Sequence, residues 1–169
     1  LGSLFRRRGE TDRAIRMHQN LIDREDLSDE QRQHALSELG LDFLKAGLLD
    51  RAEAVFVKLR GTRFNDFALN NLLDIYQQEK DWKKAIEIAE VLPHHEGVLW
   101  EKEVANFHCE LAAVAMANSR FDEAMESLVQ ALLVGPQLLR QLFRRWRIAQ
   151  LVHEKLGRGA DQCRLFRPL

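Results

Sequence analysis

The residues that could do chemistry in this chain are few, and their spacing is poor for catalysis. His108 and Cys109 are adjacent, but neighbours on a helix point about 100° apart and cannot form a nucleophile and base pair with each other. The run His94-His95-Glu96 offers two imidazoles and a carboxylate, a poor ligand set for a structural metal. The sequence signatures of serine hydrolases, nucleotide-binding enzymes and zinc proteases are missing. We therefore predict that the chain is not an enzyme.

Composition narrows the remaining classes of protein. The chain has 169 residues, of which 46% are hydrophobic, with 25 Lys+Arg against 26 Asp+Glu, as expected for one globular domain or a short repeat array. No apolar run approaches the roughly 18 residues of a membrane helix, and the first residues lack the order of a signal peptide. Cys109 and Cys163 are too far apart for a paired cysteine metal site. These features predict a cytoplasmic protein without a cofactor.

The charge is divided unevenly along the chain. Residues 137–169 carry 8 basic and 2 acidic side chains, whereas residues 1–136 carry 17 basic and 24 acidic ones. A basic segment of this kind can bind phosphate, nucleic acid or anionic lipid. A solvated arginine-rich helix end explains the same pattern, and we favour that explanation over nucleic-acid binding.

Small residues recur in a frame that predicts the fold. Ala14, Ala52, Ala85 and Ala124 follow one another at intervals of 38, 33 and 39 residues, each after a turn. Small residues in this frame allow two antiparallel helices to approach closely, as in the tetratricopeptide pattern. We expect Gly40 to face Ala52, and Ala112 to face Ala124. The prediction is an all-α tetratricopeptide-repeat α-solenoid, a right-handed superhelix of antiparallel helix pairs.

The periodicity of apolar residues gives the helix bounds. Residues 1–136 are expected to form the repeat array, and residues 137–169 a basic terminal helix and tail. The repeat units cover about 1–24, 29–60, 66–92 and 100–134. The expected helix pairs are 1–9/12–24, 29–46/50–60, 66–79/82–92 and 100–118/121–134, followed by a helix over 136–156.

Several residues should cap these helices. Ser28 and Gln31 have the spacing of a capping box, and Asp50 and Asp81 stand where N-caps are expected. The first helix is short at its start, so we expect the chain to be a fragment that lacks the beginning of that helix.

Three segments carry a resemblance to a known family. They are the run Leu1-Gly-Ser-Leu-Phe-Arg-Arg-Arg-Gly-Glu-Thr-Asp-Arg-Ala-Ile-Arg-Met-His-Gln-Asn-Leu-Ile22 and the segments 46–53 and 72–86. Over roughly residues 1–134 the chain resembles the lipopolysaccharide assembly protein B family (LapB, also called YciM). The resemblance implies an adaptor that promotes degradation of the deacetylase LpxC by the membrane protease FtsH, and so restrains lipopolysaccharide biosynthesis.

The same resemblance implies features that this sequence does not carry. Members of the family have an N-terminal membrane helix and a C-terminal rubredoxin-like metal knuckle, and they act on the cytoplasmic face of the bacterial inner membrane. The chain has neither the membrane helix nor the paired cysteines of the knuckle. The segment from Gln137 onward also departs from the repeat frame, so divergence, truncation and an altered reading frame all stay open.

A groove lined by the first helix of each pair is the predicted partner-binding site. Amide and carboxylate side chains there could hydrogen-bond the main chain of a peptide, and apolar ones could form pockets. The predicted groove residues are Arg6, Arg7, His34, Ser37, Leu41, Lys45, Asn70, Asp74, Gln77, Gln78, Asn106 and Met116, with Cys109 and Ala113 between the last two.

The sequence is compatible with two kinds of function. The favoured one is a protein-protein adaptor with FtsH and LpxC as partners, for which a homodimer is left open and no small-molecule substrate is expected. The alternative is a generic scaffold, or a binder of nucleic acid or anionic lipid that acts through the basic C-terminal tail. Strong salt dependence, lost on deleting residues 137–169, would indicate the tail.

Overall fold

Helices make up the regular structure of the chain, as the sequence predicts. A computed structural model describes residues 2–92 and 98–134, and within these ranges it contains eight helices and no strand. The helices are α1 (Gly2–Arg7), α2 (Thr11–Ile22), α3 (Asp29–Lys45), α4 (Leu49–Leu59), α5 (Asn65–Glu79), α6 (Trp82–Val91), α7 (Val98–Ala117) and α8 (Phe121–Val134). Each bound lies within two residues of its predicted position. The helix expected over 136–156 lies outside the described residues.

Capping side chains account for several helix starts. The Ser28 hydroxyl accepts from the Gln31 N–H at 3.3 Å, and the Ser28 N–H donates to Gln31 Oε1 at 3.1 Å, which completes the predicted capping box. The Asp81 carboxylate accepts from the Lys84 N–H and caps α6. Asp50 is not an N-cap, because α4 begins one residue earlier at Leu49. Its carboxylate instead lies in the first turn, where it favours the positive end of the helix dipole.

The turn inside each helix pair is the same motif, used four times. One residue in the turn after each first helix has positive φ: Gly9 (81°), Gly47 (73°), Lys80 (58°) and Ser119 (59°). Beyond it, the next N–H donates to the carbonyl five residues back at 2.9 Å, as from Leu48 to Phe43, which is the Schellman arrangement. Each of these residues stands five positions before a buried alanine of the repeat frame.

Close approach between paired helices is visible at the small residues. Ala52 is fully buried on α4, and Gly40 is buried on α3, which packs against α4. A Cβ placed on Gly40 would lie 2.6 Å from Phe56 Cζ, so the glycine makes room for the Phe56 ring one turn further along α4. The expected contact between Gly40 and Ala52 stays a prediction.

The chain divides into two compact units, residues 1–93 and 94–169. In the first, α2 and α4 both pack on α3, and α5 packs on α4 and α6. In the second, α7 packs against α8 through a cluster that contains Ala112, Ala115 and Ala124, in keeping with the predicted Ala112 and Ala124 contact. None of the described helices is both long enough and apolar enough to cross a bilayer.

Candidate protein-interaction surface

The α5 helix presents the clearest row of polar side chains from the predicted groove. Asn70, Asp74 and Gln77 stand at i, i+4 and i+7, so they share one helix face, and Gln78 is exposed beside them. The Asn70 side-chain amide donates to the Asp66 carbonyl at 2.7 Å, which fixes its orientation and leaves its oxygen as an acceptor. Asn70 and Asp74 are themselves exposed.

The surroundings of the Asp74 carboxyl change its pKa. Partial burial raises the pKa of this carboxyl above its ordinary value, because the charged form loses part of its hydration. A partner that donates N–H groups or a cation to Asp74 would replace that lost hydration. The α5 row can therefore accept hydrogen bonds from a partner and also donate them.

The α3 helix contributes the exposed residues His34 and Lys45 and the half-buried Leu41. The His34 ring stacks on Phe64, with ring centroids 6.1 Å apart. Ser37, predicted to line the same groove, is instead buried, and its hydroxyl donates to the His34 carbonyl at 2.7 Å. Ser37 thus packs within the helix bundle and is withdrawn from any partner.

Arg6 also occupies a different place from the one expected. Its guanidinium donates to Asp42 Oδ1 at 2.7 Å, to Glu38 Oε2 at 2.8 Å and to the Glu38 carbonyl at 3.1 Å. Burial works against its charge, but the hydrogen bonds to Asp42 and Glu38 outweigh it and raise the Arg6 pKa. Arg6 therefore holds α1 to α3, whereas its neighbour Arg7 remains exposed.

Asp42 is the centre of this network. Its carboxylate is fully buried, and its second oxygen lies 2.5 Å from His18 Nδ1 on α2. One carboxylate thus joins α1, α2 and α3. Asp42 and His18 are not among the predicted groove residues, although a single acid in the apolar run from Leu39 to Leu44 is a signal that a buried polar partner is required.

His18 occupies the place that an aromatic residue takes in the next pair. A Cβ on Gly2 would collide with the His18 ring, just as a Cβ on Gly40 would meet Phe56. Gly2 and Gly40 are 38 residues apart, and so are His18 and Phe56, which is the interval of the repeat. The first pair therefore fills this position with a ring that can also hydrogen-bond to Asp42.

A second polar contact ties later helices together. Glu53 Oε1 accepts from the Tyr76 hydroxyl at 2.7 Å and from Lys84 Nζ at 3.1 Å. The Tyr76 hydrogen bond is the main cause that lowers the Glu53 pKa, while burial and this bond raise the pKa of Tyr76. This contact joins α4, α5 and α6.

The remaining predicted groove residues lie on α7, in the second unit. Asn106 and Met116 are exposed, and Met116 retains 54% of its accessible surface. Burial raises the pKa of the half-buried Cys109 thiol, which disfavours the reactive thiolate. Across the described ranges, the side chains form no group of three or more His, Cys, Asp or Glu that could hold a metal ion.

Comparison with known proteins first defines the class. The tetratricopeptide repeat family matches residues 1–32. A crystal structure of nearly identical TPR-like repeats of a Podospora anserina kinesin light chain, variant Q17M, superposes with a TM-score of 0.51 at 12% identity. The superposition covers 94% of each chain, and at this sequence identity the likeness shows the fold alone. The chain is a tetratricopeptide-repeat protein, a class that serves protein-protein interaction.

Closer relatives then define the family. Lipopolysaccharide assembly protein B of Escherichia coli K12 is 48% identical over 129 residues, which are 76% of this chain and 33% of the relative. The protein of the same name from Haemophilus influenzae is 40% identical over 141 residues, 83% of this chain and 35% of the relative. The repeat region of this chain therefore belongs to the lipopolysaccharide assembly protein B family. It spans about a third of the length of these relatives.

Proposed function

We propose that this chain is the interaction region of a LapB-type adaptor that brings the deacetylase LpxC to the membrane protease FtsH. This activity would restrain lipopolysaccharide biosynthesis at the cytoplasmic face of the bacterial inner membrane. The observation that carries the proposal is the 48% identity to lipopolysaccharide assembly protein B over 76% of the chain. Fold and family together support a role as a binding module.

The α5 row is the proposed contact surface for one of these partners. Its exposed amide and carboxylate groups can pair with the main chain of an extended segment or with the polar face of a docked helix. Lys45 and His34 on α3 are exposed as well and supply positive charge and an aromatic edge. Binding of this kind needs no cofactor.

The metal knuckle that the resemblance implies does not fit the residues of this chain. A rubredoxin-like site needs four thiolates, and the chain has two cysteines, Cys109 and Cys163. Of these, Cys109 is a half-buried side chain on α7. The proposed binding of protein partners requires no metal ion.

A pull-down with the purified chain tests the proposal. The immobilised protein is incubated with detergent-solubilised membranes and cytosol of a Gram-negative cell, and the bound fraction is probed for FtsH and LpxC. We expect both to be retained. Replacing Asn70 and Asp74 together with alanine should weaken the retention of at least one, because each lost hydrogen bond contributes roughly 0.5 to 1.5 kcal/mol.

A matched variant separates the surface from a general effect of charge or folding. Glu87 and Glu90 are exposed on α6, and their double alanine variant should bind like the parent. Both variants should melt like the parent, because exposed polar substitutions usually change stability by less than about 0.5 kcal/mol. Failure of the parent to retain either protein would refute the adaptor role. Parent-like binding by the Asn70 and Asp74 variant would instead move the contact away from α5.

A further inference from the structure

The α8 helix carries an apolar stripe outside its contact with α7. Ala124 of α8 is buried in that contact. On other positions of the same helix, Phe121 retains 66% of its accessible surface, Met125 64% and Leu133 71%. The α8 stripe comprises the apolar side chains of Phe121, Met125, Leu128, Val129, Leu132 and Leu133, of which Leu132 alone is half-buried. Large apolar side chains exposed together on one helix mark a contact surface.

Acidic side chains border the α8 stripe along one edge. Asp122 and Glu126 are exposed and stand at i and i+4, so they share a helix face. Neither carboxylate has an ion-pair partner among the described residues, whereas Glu123 pairs with Arg120 at 2.7 Å. A segment that covers the stripe would therefore meet two available carboxylates on one side.

The sequence that follows α8 has a matching pattern. α8 ends at Val134, and Gly135-Pro136 separates it from residues 137–150, the tail segment, which lies outside the described residues. On a helix, apolar residues of the tail segment would share one face, and most of its arginines would lie on the other. The apolar residues are Leu138, Leu139, Leu142, Phe143 and Trp146, and the arginines are Arg140, Arg144, Arg145 and Arg147.

An antiparallel arrangement brings the two apolar patterns into register. Helices on either side of a tight turn both rise about 1.5 Å per residue, so residues equally far from Gly135-Pro136 lie level with each other. Each residue of the α8 stripe beyond Phe121 is then level with an apolar residue of the tail segment. Examples are Val129 with Leu142, Met125 with Trp146, and Leu132 with Leu139.

The same register brings one arginine to the acidic edge. At about 100° per residue, Arg147 borders the apolar face of the tail segment on the side that adjoins Asp122 and Glu126 in an antiparallel pair. Arg147 is also level with residue 124, midway between the two acids. Arg144 falls on the opposite face, away from α8. Charge and apolar spacing thus favour a single arrangement.

The tail segment is also the occupant that needs the least intrinsic affinity. A two-residue connection gives it an effective concentration in the millimolar range or above, so a separate partner would have to displace it. The first unit shows the same kind of contact, because α3 packs on α2 and α5 packs on α4. The alanine frame ends at Ala124, so the assignment of the tail segment depends on its apolar and charge patterns and not on the frame.

We propose that the tail segment folds back as a helix on the α8 stripe and that Arg147 pairs with Asp122 and Glu126. The apolar half of the tail segment is then used within the chain, and Arg140 and Arg144 stay at the surface. This inference goes beyond the adaptor role and does not depend on which proteins bind the α5 row.

Disulfide cross-linking of the full chain tests the contact. Cys109→Ser and Cys163→Ser remove the native thiols, and Met125→Cys with Trp146→Cys places one thiol on each helix. We expect a mild oxidant to join this pair within one monomer, seen as a mobility shift that a reductant reverses. The control is Met125→Cys with Arg144→Cys, which should react at least about tenfold more slowly, because a disulfide needs closely spaced Cβ atoms that point toward each other.

A second pair of cysteines keeps Trp146 in place. Leu132→Cys with Leu139→Cys, the reporter pair, lies in the same register and should also join within one monomer. Failure of both pairs would show that the tail segment does not lie on α8.

Charge reversal in the reporter-pair background tests the role of Arg147. Arg147→Glu should slow cross-linking about tenfold, because it sets a third carboxylate beside Asp122 and Glu126. Adding Asp122→Arg with Glu126→Arg should restore the rate. The matched control Arg144→Glu makes the same change in net charge on the outer face and should react like the reporter pair alone.

Other results would overturn the proposal. Equal rates for the Trp146→Cys and Arg144→Cys pairs would show that no particular face of the tail segment contacts α8. Disulfides that form between chains and not within one would indicate that a second copy covers the α8 stripe. Equal slowing by Arg147→Glu and Arg144→Glu would reduce the electrostatic effect to net charge.

Discussion

A carboxylate that is fully removed from water needs partners for both of its oxygens, and Asp42 finds them on two different helices. Arg6 pairs with one oxygen and His18 with the other. Breaking a buried pair by removing one partner leaves an uncompensated charge, which costs more than the pair itself contributes. The buried polar contact between the first two helix pairs therefore depends on a single acid.

Replacing Arg6 with methionine should lower the free energy of unfolding by about 3 to 5 kcal/mol, because Asp42 would stay buried without its cation. Urea unfolding followed by circular dichroism measures this. The control is Arg13→Met, which removes an exposed ion pair with Glu10 and should cost less than about 1 kcal/mol. Equal stability of the two variants would show that Arg6 is a surface residue, as the sequence suggested.

Glu53 makes stability depend on pH in a defined direction. Its folded pKa lies below the ordinary 4.5, so its contribution is fully present above the unfolded pKa and is lost as the pH falls through the folded pKa. Glu53→Gln should therefore lower stability by about 1 kcal/mol at pH 7. The difference from the parent should shrink below about pH 4.5. Melting curves of both proteins across this range measure it, and a constant difference would contradict the account.

At the scale of elements, the turn motif explains why the helix pairs resemble one another despite different sequences. The position that needs positive φ is glycine in the first two turns, but Lys80 and Ser119 in the last two. A residue with a Cβ pays a steric penalty in this conformation that glycine does not. The last two turns are therefore less favourable than the first two at the same geometry.

Lys80→Gly should accordingly raise the free energy of unfolding by about 0.5 to 1 kcal/mol, since relief of the left-handed strain exceeds the extra chain entropy of glycine. Gly47→Ala is the reverse experiment and should lower stability. A Cβ at Gly47 would meet nothing within 4 Å, so its effect isolates the backbone. Thermal unfolding of both variants measures the two changes in stability. A loss of stability in Lys80→Gly would indicate that the lysine side chain contributes more than its strain costs.

The elements could be predicted from sequence because their signals are local. Apolar spacing and the Ser28 capping box each lie within one helix pair, and the alanine frame repeats from pair to pair in agreement with them. The candidate site was harder to predict from sequence, because the position of the Arg6 side chain depends on Asp42, which is 36 residues away. Ser37 shows the same limit, since a difference of one or two positions along a helix decides whether a side chain faces the partner helix or the solvent.

At the scale of the whole molecule, we expect this chain to differ in metal content from family members that carry the metal knuckle. We expect tag-free protein to hold no stoichiometric zinc or iron, because two cysteines cannot supply four thiolates. Elemental analysis after dialysis against buffer without chelator measures this. One metal ion per chain, retained through gel filtration, would contradict the prediction. The matched variant Cys109→Ser would then show whether the α7 thiol is a ligand.

The buried pair of His18 and Asp42 also determines which repeats can be neighbours. In the register of the turns, His18 corresponds to Phe56, and Asp42 corresponds to Ile75, both of which are fully buried apolar side chains. A shuffled array that placed the first pair beside the third would set an imidazole against Ile75, and Asp42 would be left without its donors Arg6 and His18. At this one position of the repeat, the first junction is therefore polar and the second is apolar. The order of the units along the chain is encoded in these side chains as well as in the covalent connection between them.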